Sequence, residues 1–308
     1  MNIVIGTRGS KLALAQAEWA AERLRELGAA VTVQVVRTRG DRRAEPVPAI
    51  GTGVFVKEIE EALRRGDVSL AVHSLKDLPT GPREGLALAA VPERADPSDA
   101  LVTRDGAGLR DLASGARLGT GSARRAAQLR ACRPDLVFVP ARGNVDTRLR
   151  KLDQGEYDAL VVASAGLIRL GLASRIAERL PFDTCLPAPG QGALALQVRT
   201  DDDATQSLVA QLDHAPSRAA VTAERAFLEC LGGGCAIPVG ALATVSAEQI
   251  ALDGVVAREG GEGLLRASAS GSAAAPEAVG AELAERLLSL GAARFLPAPP
   301  ALSGAEGC

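Results

Sequence analysis

The stretch NIVIGTRGSKLALAQAEWAAERLRELG, residues 2–28, decides the fold class, because a short apolar segment runs through a polar turn into a long amphipathic segment. NIVIG has the length and composition of a buried strand. In the segment that follows, Leu12, Trp19 and Leu27 approximate helical spacing. Ser10 stands where a helix N-cap is expected. The stretch therefore predicts a strand that leads directly into a helix.

Strand and helix patterns continue to alternate after this stretch. VTVQVVRT (31–38) and VSLAVHS (68–74) have the composition of strands, and VFVKEIEEALRRG (54–66) has that of a helix closed by Gly66. Such alternation is typical of an α/β lobe in which much of the sheet is parallel. We expect the proline-rich run 78–97 to break it.

A second series of alternating patterns extends from residue 100 to about 186. Its segment LGTGSARRAAQL (118–129) echoes IGTRGSKLALAQ (5–16), since both place Gly-Thr and then Ser between a strand and a helix. Such a short echo is weak taken alone, but it favours two related lobes. LPAPGQGALALQV (186–198) is a Pro/Gly hinge followed by a strand that could return the chain to the first lobe.

The pattern changes again from residue 216 onward. SRAAVTAERAFLECL (217–231) predicts a helix, three β-like runs follow a glycine loop, and PEAVGAELAERLLSLG (276–291) predicts a last helix. This order indicates a small α+β domain.

Composition limits the classes of function. The chain has 308 residues, of which 47% are hydrophobic and only 2% aromatic, so it can form two or three domains but has few rings for nucleic-acid stacking. The N-terminus lacks the features of a secretion signal, and no run of about eighteen apolar residues occurs, so we expect a soluble cytoplasmic protein. Five cysteines without C-x-x-C spacing fit reduced thiols, and two histidines are too few for a His-rich metal centre.

The net charge of −2 hides a basic zone. Residues 117–151 contain nine basic side chains and two acids, a local charge of +7. A solvated helix face usually alternates its signs, so the excess favours an anionic ligand.

Two predicted turns between strand and helix could bind that anion. T-R-G-S (7–10) and G-T-G-S (119–122) would aim backbone N–H groups at one point, and arginines accompany both turns. Ordinary helix capping by serine is the simpler explanation of either turn considered singly. Because a guanidinium matches a carboxylate in a bidentate way, the two together favour a ligand with several carboxylates.

HSLKDLP (73–79) ends a predicted buried strand, where α/β sheets place their ligands. Lys76 and Asp77 are adjacent there and could form a surface pair of little energetic value. Alternatively, Asp77 is a functional carboxylate that moves a proton or holds a cation.

LGGGCAIPVG (231–240) places Cys235 after three glycines. A free cysteine is most often a small buried hydrophobe, yet a glycine turn would expose the thiol. Neither histidine is near in sequence to act as a base, so papain-like catalysis is poorly supported, whereas permanent alkylation needs no turnover base. Metal binding by Cys230 and Cys235 would need two further ligands.

Many blocks in order make the chain resemble the porphobilinogen deaminase (hydroxymethylbilane synthase) family over essentially its full length. The blocks are TRGSKLALAQ, GVFVKEIE, AVHSLKDLPT, GTGSARRAAQL, RGNVDTRL, LDQGEYDAL, AGLIRLG, LPAPGQGA and TAERAFLECLGGGCAIPVG. The resemblance implies an α/β fold of two periplasmic-binding-protein-like lobes plus a smaller α+β C-terminal domain. On this basis we expect a first lobe of residues 1–92 and 193–212, a second of 98–188, and a third domain of 216–308.

The resemblance also implies a transferase that condenses four porphobilinogen molecules, with loss of ammonia, onto a covalently bound dipyrromethane and releases hydroxymethylbilane by hydrolysis. It implies that Cys235 carries this cofactor as a thioether and that Asp77 is the catalytic carboxylate. Further cofactor-binding residues are implied to be Lys76, Ser122, Arg124, Arg125 and Arg148. Substrate-binding residues are implied to be Arg8, Ser10, Lys57, Thr120, Arg142, Arg169 and Gln191. No metal, nucleic acid or membrane partner is implied, and we expect a monomer.

The chain departs from the family pattern at Thr52, where lysine is common, and at Pro92, where relatives can carry cysteine. Cys308 has no assigned role. Two other functions stay open at this point: a two-lobed anion-binding protein without catalysis, and a polyanion- or RNA-binding protein. The absence of an export signal and the glycine-flanked Cys235 weigh against the first, and the scarcity of aromatic residues weighs against the second.

Overall fold

Helices and strands alternate through the first two thirds of the chain, as the apolar periods predict. The structure, a computed structural model, describes residues 1–36, 56–233, 238–258, 260 and 263–296. Its strands are β1 Asn2–Thr7, β2 Ala30–Val35, β3 Leu70–Ser74, β4 Leu86–Ala90, β5 Asp99–Thr103, β6 Arg117–Gly119, β7 Val137–Val139, β8 Ala159–Ala163, β9 Glu178–Arg179, β10 Leu194–Arg199, β11 Val239–Ser246, β12 Gln249–Ala257 and β13 Leu264–Ser272. Its α-helices are α1 Lys11–Glu26, α2 Lys57–Arg64, α3 Ala123–Cys132, α4 Val145–Asp153, α5 Ser164–Arg169, α6 Asp203–Val209, α7 Ala215–Cys230 and α8 Pro276–Ser289.

The first lobe is a five-stranded sheet in the order β2-β1-β3-β10-β4. β1 runs parallel to β2 and β3, whereas β10 is antiparallel to both β3 and β4. The strand after the Pro/Gly hinge therefore returns the chain to the first lobe, as predicted. Apolar side chains such as Ile5, Leu24 and Leu196 form the core between this sheet and α1.

β4 corrects the expectation that the proline-rich run 78–97 only interrupts the pattern. Leu86–Ala90 lies between Pro82 and Pro92, so no proline removes a ladder donor, and the strand pairs with β10 at the sheet edge. β5 and β9 were likewise not predicted as separate strands.

The second lobe repeats the topology of the first. Its sheet has the order β7-β6-β8-β5-β9, with β6 parallel to β7 and β8, and β5 antiparallel to β8 and β9. β6 and α3 thus occupy the same places as β1 and α1. The sequence echo between 5–16 and 118–129 is confirmed as a structural correspondence.

The last part of the chain forms an antiparallel sheet, β11-β12-β13, covered by α7 and α8. Phe227, Leu252 and Leu283 are among the side chains buried between the sheet and the helices. The two helices approach closely at Gly280, where an added Cβ would lie 2.4 Å from the carbonyl oxygen of Ala223. This confirms the predicted α+β unit.

One buried carboxylate joins all three parts. Glu224 on α7 accepts hydrogen bonds from the Arg94 guanidinium at 2.6 and 3.1 Å, from the Gly190 amide at 2.7 Å and from the Ala243 amide at 2.8 Å. Arg94 and Gly190 lie on the two connectors between the lobes, and Ala243 lies on β11. Among the described residues, no helix is both long and apolar enough to cross a membrane.

Candidate active site

A small pocket opens at the carboxyl ends of β1 and β3. Its volume is about 70 Å³, against roughly 300–1,000 Å³ for a typical small-molecule site, so it holds a part of a ligand rather than the whole. Its polar lining comes from both strands and from the start of α1, and consists of Arg8, Ser10, Gln16, His73, Ser74 and Asp77.

The turn after β1 is built by local hydrogen bonds. The Ser10 hydroxyl accepts from the Ala13 amide at 3.2 Å and caps α1, and the Thr7 hydroxyl donates to the Ala13 carbonyl at 3.1 Å. The corresponding Ser122 hydroxyl accepts from the Arg125 amide at 3.4 Å. Helix capping is therefore confirmed for both serines, and their ligand roles stay predictions.

Asp77 lies at the end of a single 3-10 turn, Leu75–Asp77, directly after β3. Leu75 is fully buried and anchors the turn, which leaves Asp77 exposed at the mouth of the pocket. The Lys76 ammonium donates to Gln191 Oε1 at 3.2 Å across the lobe connector. The two neighbours therefore face different surroundings and are not a simple surface pair.

Several positively charged side chains lie close enough to Asp77 and to one another to shift their pKa values. Burial and, to a lesser extent, the charge of Arg125 lower the pKa of Lys76 to about 8, while Asp77 and Asp99 oppose the shift. Burial and the charge of Arg125 also lower the pKa of Arg148, and Asp77 again opposes. Arg125 thus repels both Lys76 and Arg148, and a ligand with several carboxylates would relieve that repulsion.

Asp99 binds two of the predicted site arginines and was not itself predicted from the sequence. It is fully buried and binds Arg124 Nη1 at 2.7 Å and Arg125 Nη2 at 2.6 Å. Burial would raise the pKa of Asp99, but the two guanidinium groups hold it well below its usual range. Arg124 and Arg125 are therefore fixed by a protein carboxylate, and no local pattern in the sequence identifies Asp99 as their partner.

Gln191 links the connectors to the cation cluster. Its Nε2 donates to the carbonyl of Pro97 and to Asp99 Oδ1, both at 2.8 Å, and its Oε1 accepts from Lys76 and Arg125. Its side chain is fully buried. Both amide heavy atoms are thus bound by the protein, so Gln191 positions Lys76 and Arg125, and its substrate-binding role stays a prediction.

The other predicted residues lie around this centre. Thr120 accepts a hydrogen bond from the Ser122 amide at 3.2 Å, and Arg142 is exposed. Lys57 begins α2, has 77% of its side chain exposed and lies 4.0 Å from Glu61. Arg169 donates to the Gly192 carbonyl at 2.7 Å, and burial lowers its pKa to about 10.

The sequence analysis also singled out Thr52, Cys235 and Cys308. These three residues lie outside the part of the chain that the structure describes. The nearest described neighbour of Cys235 on its N-terminal side is Gly233. A Cβ added at Gly233 would lie 3.3 Å from the hydroxyl of Thr80, three residues after Asp77. The chain that leads to Cys235 therefore starts beside the Asp77 segment.

The basic zone of residues 117–151 is less available to a ligand than its net charge indicates. Acids from outside that segment neutralise part of it: Asp158 binds Arg117 at 3.0 Å, Glu156 binds Lys151 at 3.2 Å, and Asp99 holds two more arginines. The count of +7 therefore overstates the charge that is open to a ligand, because long-range ion pairs are invisible in a local count, and the anionic ligand itself stays a prediction.

Comparison with known proteins identifies close relatives. Residues 3–207 match the family model "Porphobilinogen deaminase, dipyromethane cofactor binding domain", and residues 218–289 match "Porphobilinogen deaminase, C-terminal domain". A porphobilinogen deaminase of Desulforudis audaxviator is 52% identical over 299 residues, which cover 96% of this chain and 97% of the relative. One of Thermus thermophilus is 48% identical over 297 residues, with 96% and 98% covered.

Solved structures with a similar fold include a periplasmic substrate-binding protein of an ABC transporter from Coxiella burnetii. It is 18% identical, with a TM-score of 0.44, and the similarity covers 70% of this chain and 93% of that one.

Proposed function

The chain belongs to the porphobilinogen deaminase family, and we propose that its active site is the pocket at Asp77 together with the cations Lys76, Arg125 and Arg148. As a member of the family, it is a transferase that condenses four porphobilinogen molecules, with loss of ammonia, onto a covalently bound dipyrromethane and releases hydroxymethylbilane by hydrolysis. The observation that carries the assignment is the exposed carboxylate of Asp77 at the mouth of a pocket and within the field of clustered cations.

The residues present fit the dipyrromethane group. Each pyrrole of this cofactor carries carboxylate side chains, and the repulsion of Lys76 and of Arg148 by Arg125 marks a place where carboxylates are favoured. We propose that these three residues, with Ser122 and Arg124, hold the cofactor, and that Cys235 attaches it. When bound, the group supplies the pyrrole carbon to which the first substrate is joined.

Asp77 supplies negative charge where the reaction develops positive charge. Loss of ammonia from porphobilinogen leaves a cationic pyrrole, and a carboxylate held at that point stabilises it. We propose that Asp77 first binds the protonated amino group of the substrate and then stabilises this cation. The buried Leu75 anchors the 3-10 turn that carries Asp77, which limits movement of the Asp77 backbone during the reaction.

The pocket accepts one end of the substrate. Arg8 and Ser10 line it beside the N-terminus of α1, where backbone N–H groups favour an anion. Its volume of about 70 Å³ suits a single acidic side chain. We propose that Arg8 and Ser10 bind a substrate carboxylate there and that Lys57, Thr120, Arg142 and Arg169 contact carboxylates of the growing chain, while Gln191 acts by fixing Lys76 and Arg125.

We also propose the oligomeric state, the compartment and the domain bounds of the protein. We propose that it is a monomer. Cys132, Cys185 and Cys230 are free, which supports a reducing compartment, the cytoplasm. We propose domains at 1–92 with 193–212, at 98–188 and at 216–308, because the three sheets divide the chain in that way.

Intact mass and turnover of three variants test the assignment. The purified protein should weigh one dipyrromethane more than its sequence, and the excess should vanish in Cys235→Ser but persist in Cys230→Ser, an exposed cysteine on α7. Asp77→Asn should keep bound pyrrole yet lose turnover by about 10²–10³-fold, because the stabilising charge is gone.

Asp135→Asn is the matched control, since Asp135 pairs with Arg133 on the surface and should leave turnover unchanged. Excess mass in Cys235→Ser, or near-normal turnover in Asp77→Asn, would contradict the proposed roles.

A further inference from the structure

One arginine of α7 binds the chain segment immediately after Asp77. The Arg225 guanidinium donates from Nη1 to the carbonyl of Leu78 at 2.9 Å, and from Nη2 to the carbonyls of Pro79 at 2.7 Å and Thr80 at 3.3 Å. The planar fork of an arginine can reach three successive carbonyl groups in this way, whereas a lysine presents one nitrogen. The segment that carries Asp77 is thereby fixed to α7.

The C-terminal end of the same helix meets the same segment. α7 ends at Cys230, and Gly232 and Gly233 follow with φ of 97° and 53°, which turns the chain sharply. Gly233 then comes close to Thr80, since a Cβ added at Gly233 would lie 3.3 Å from the Thr80 hydroxyl. Residues 78–80 are therefore bound by the side chain of Arg225 and lie beside the backbone that leads to Cys235.

We infer that Arg225 is a positioning residue for the reaction, which keeps the carboxylate of Asp77 at a constant distance from the chain that carries the cofactor cysteine. The inference rests on the proposed roles of Asp77 and Cys235. The reacting group is attached to the chain that follows α7, whereas the stabilising carboxylate belongs to the segment after β3. Contacts between these two parts of the chain must therefore set the distance between the two groups. A displacement of about 1 Å at such a centre can reduce a rate by about 100-fold.

A second arginine of α7 separates this role from simple stabilisation. Arg218 lies two helical turns before Arg225 and makes the same kind of contact, donating to the carbonyls of Leu88 and Ala89 on β4 and to Asp213. Both arginines attach α7 to the first lobe. Only the carbonyls bound by Arg225 adjoin Asp77.

The test compares Arg225→Gln with Arg218→Gln, each as the full chain with its cofactor load measured by intact mass. Both variants should lower Tm, because each loses charge-assisted hydrogen bonds to the first lobe. At equal cofactor load, Arg225→Gln should lose kcat by about tenfold or more while KM changes less than about threefold. Arg218→Gln should keep kcat within about twofold of the wild type.

Two results would overturn the inference: a kcat of Arg225→Gln within about twofold of wild type, or equal losses of kcat in both variants. If Arg225→Gln does not fold, Arg225→Lys against Arg218→Lys answers the same question, because the single lysine nitrogen cannot bridge three carbonyls. A kcat of Arg225→Lys equal to that of Arg218→Lys would then refute it. Asp77→Asn is measured in parallel: if it is inactive and Arg225→Gln is active, only the role of Arg225 fails, whereas an active Asp77→Asn removes the proposed function itself.

Discussion

At the scale of the residue, Lys76 is a site residue whose charge changes within the range of working pH. Burial and Arg125 lower its pKa to about 8, so it titrates close to neutrality, unlike an exposed lysine. A lysine that binds carboxylates must carry its proton. Its contribution to binding is therefore complete below that pKa and is lost as the pH rises through it.

Lys76→Arg tests this dependence, because a guanidinium stays protonated throughout the range. The wild-type kcat/KM for porphobilinogen should fall as the pH rises above about 8, and the variant should hold its own kcat/KM to higher pH. The measurement is a pH profile of both proteins between 6 and 10. An alkaline fall at the same pH in both proteins would assign it to another group.

His73 does not complicate such a profile on the acid side. Burial, with a smaller effect from the charge of Arg83, lowers its pKa to about 4, although a hydrogen bond with Gln197 opposes the shift. Its imidazole is consequently neutral at any pH where the enzyme would be assayed. An acid limb near pH 6 would have to come from substrate or from another residue.

At the scale of the element, the two connectors between the lobes form a paired unit. The Gly192 carbonyl accepts from the Ala95 amide at 3.3 Å and from Arg169 at 2.7 Å. Gly192 has φ of 88°, and a Cβ there would lie 2.4 Å from the carbonyl oxygen of Ala95. Only glycine permits both the left-handed backbone and this close approach.

Gly192→Ala should therefore reduce the free energy of unfolding by about 3 kcal/mol or more, from backbone strain together with the overlap. Gly171→Ala is the matched control, since Gly171 has φ of 70° but no atom within 4 Å of its added Cβ, and it should cost about 1 kcal/mol. Denaturant unfolding of the two variants gives both values. Equal losses would show that the connectors separate easily and that the overlap is relieved.

At the scale of the whole molecule, the contact between Arg94 and Glu224 ties the three parts together. Glu224 is fully buried and receives both guanidinium nitrogens of Arg94. Removal of one partner from such a pair leaves an uncompensated buried charge, which costs far more than the loss of an exposed pair. Both connectors and β11 depend on this one carboxylate.

Glu224→Gln should accordingly destabilise the protein by about 3–5 kcal/mol and divide its thermal unfolding, with the third domain melting apart from the lobes. Asp158→Asn, which removes the exposed partner of Arg117, should change stability by about 1 kcal/mol at most. Scanning calorimetry of the two variants distinguishes them. A single transition of Glu224→Gln at the wild-type Tm would show that the three parts are coupled elsewhere.

Local patterns predicted most elements, because apolar period and turn chemistry act over a few residues. The helices at Lys11–Glu26 and Ala123–Cys132, with their serine caps, follow from them, and so do β3 and β10. β9 was missed because a strand of two residues has no period, and β4 because flanking prolines concealed it.

The sequence by itself determined the alternating elements, the two related lobes, the family and the stretch that carries Asp77, all of which depend on neighbours along the chain. Only the tertiary structure decided which groups each charged side chain binds. Asp99 meets Arg124 across 25 residues, and Arg225 meets Leu78 across 147. An ion pair or hydrogen bond depends on distance in space, and the return of the chain between the lobes sets that distance, so a local count of charge cannot show which arginines stay available to a ligand.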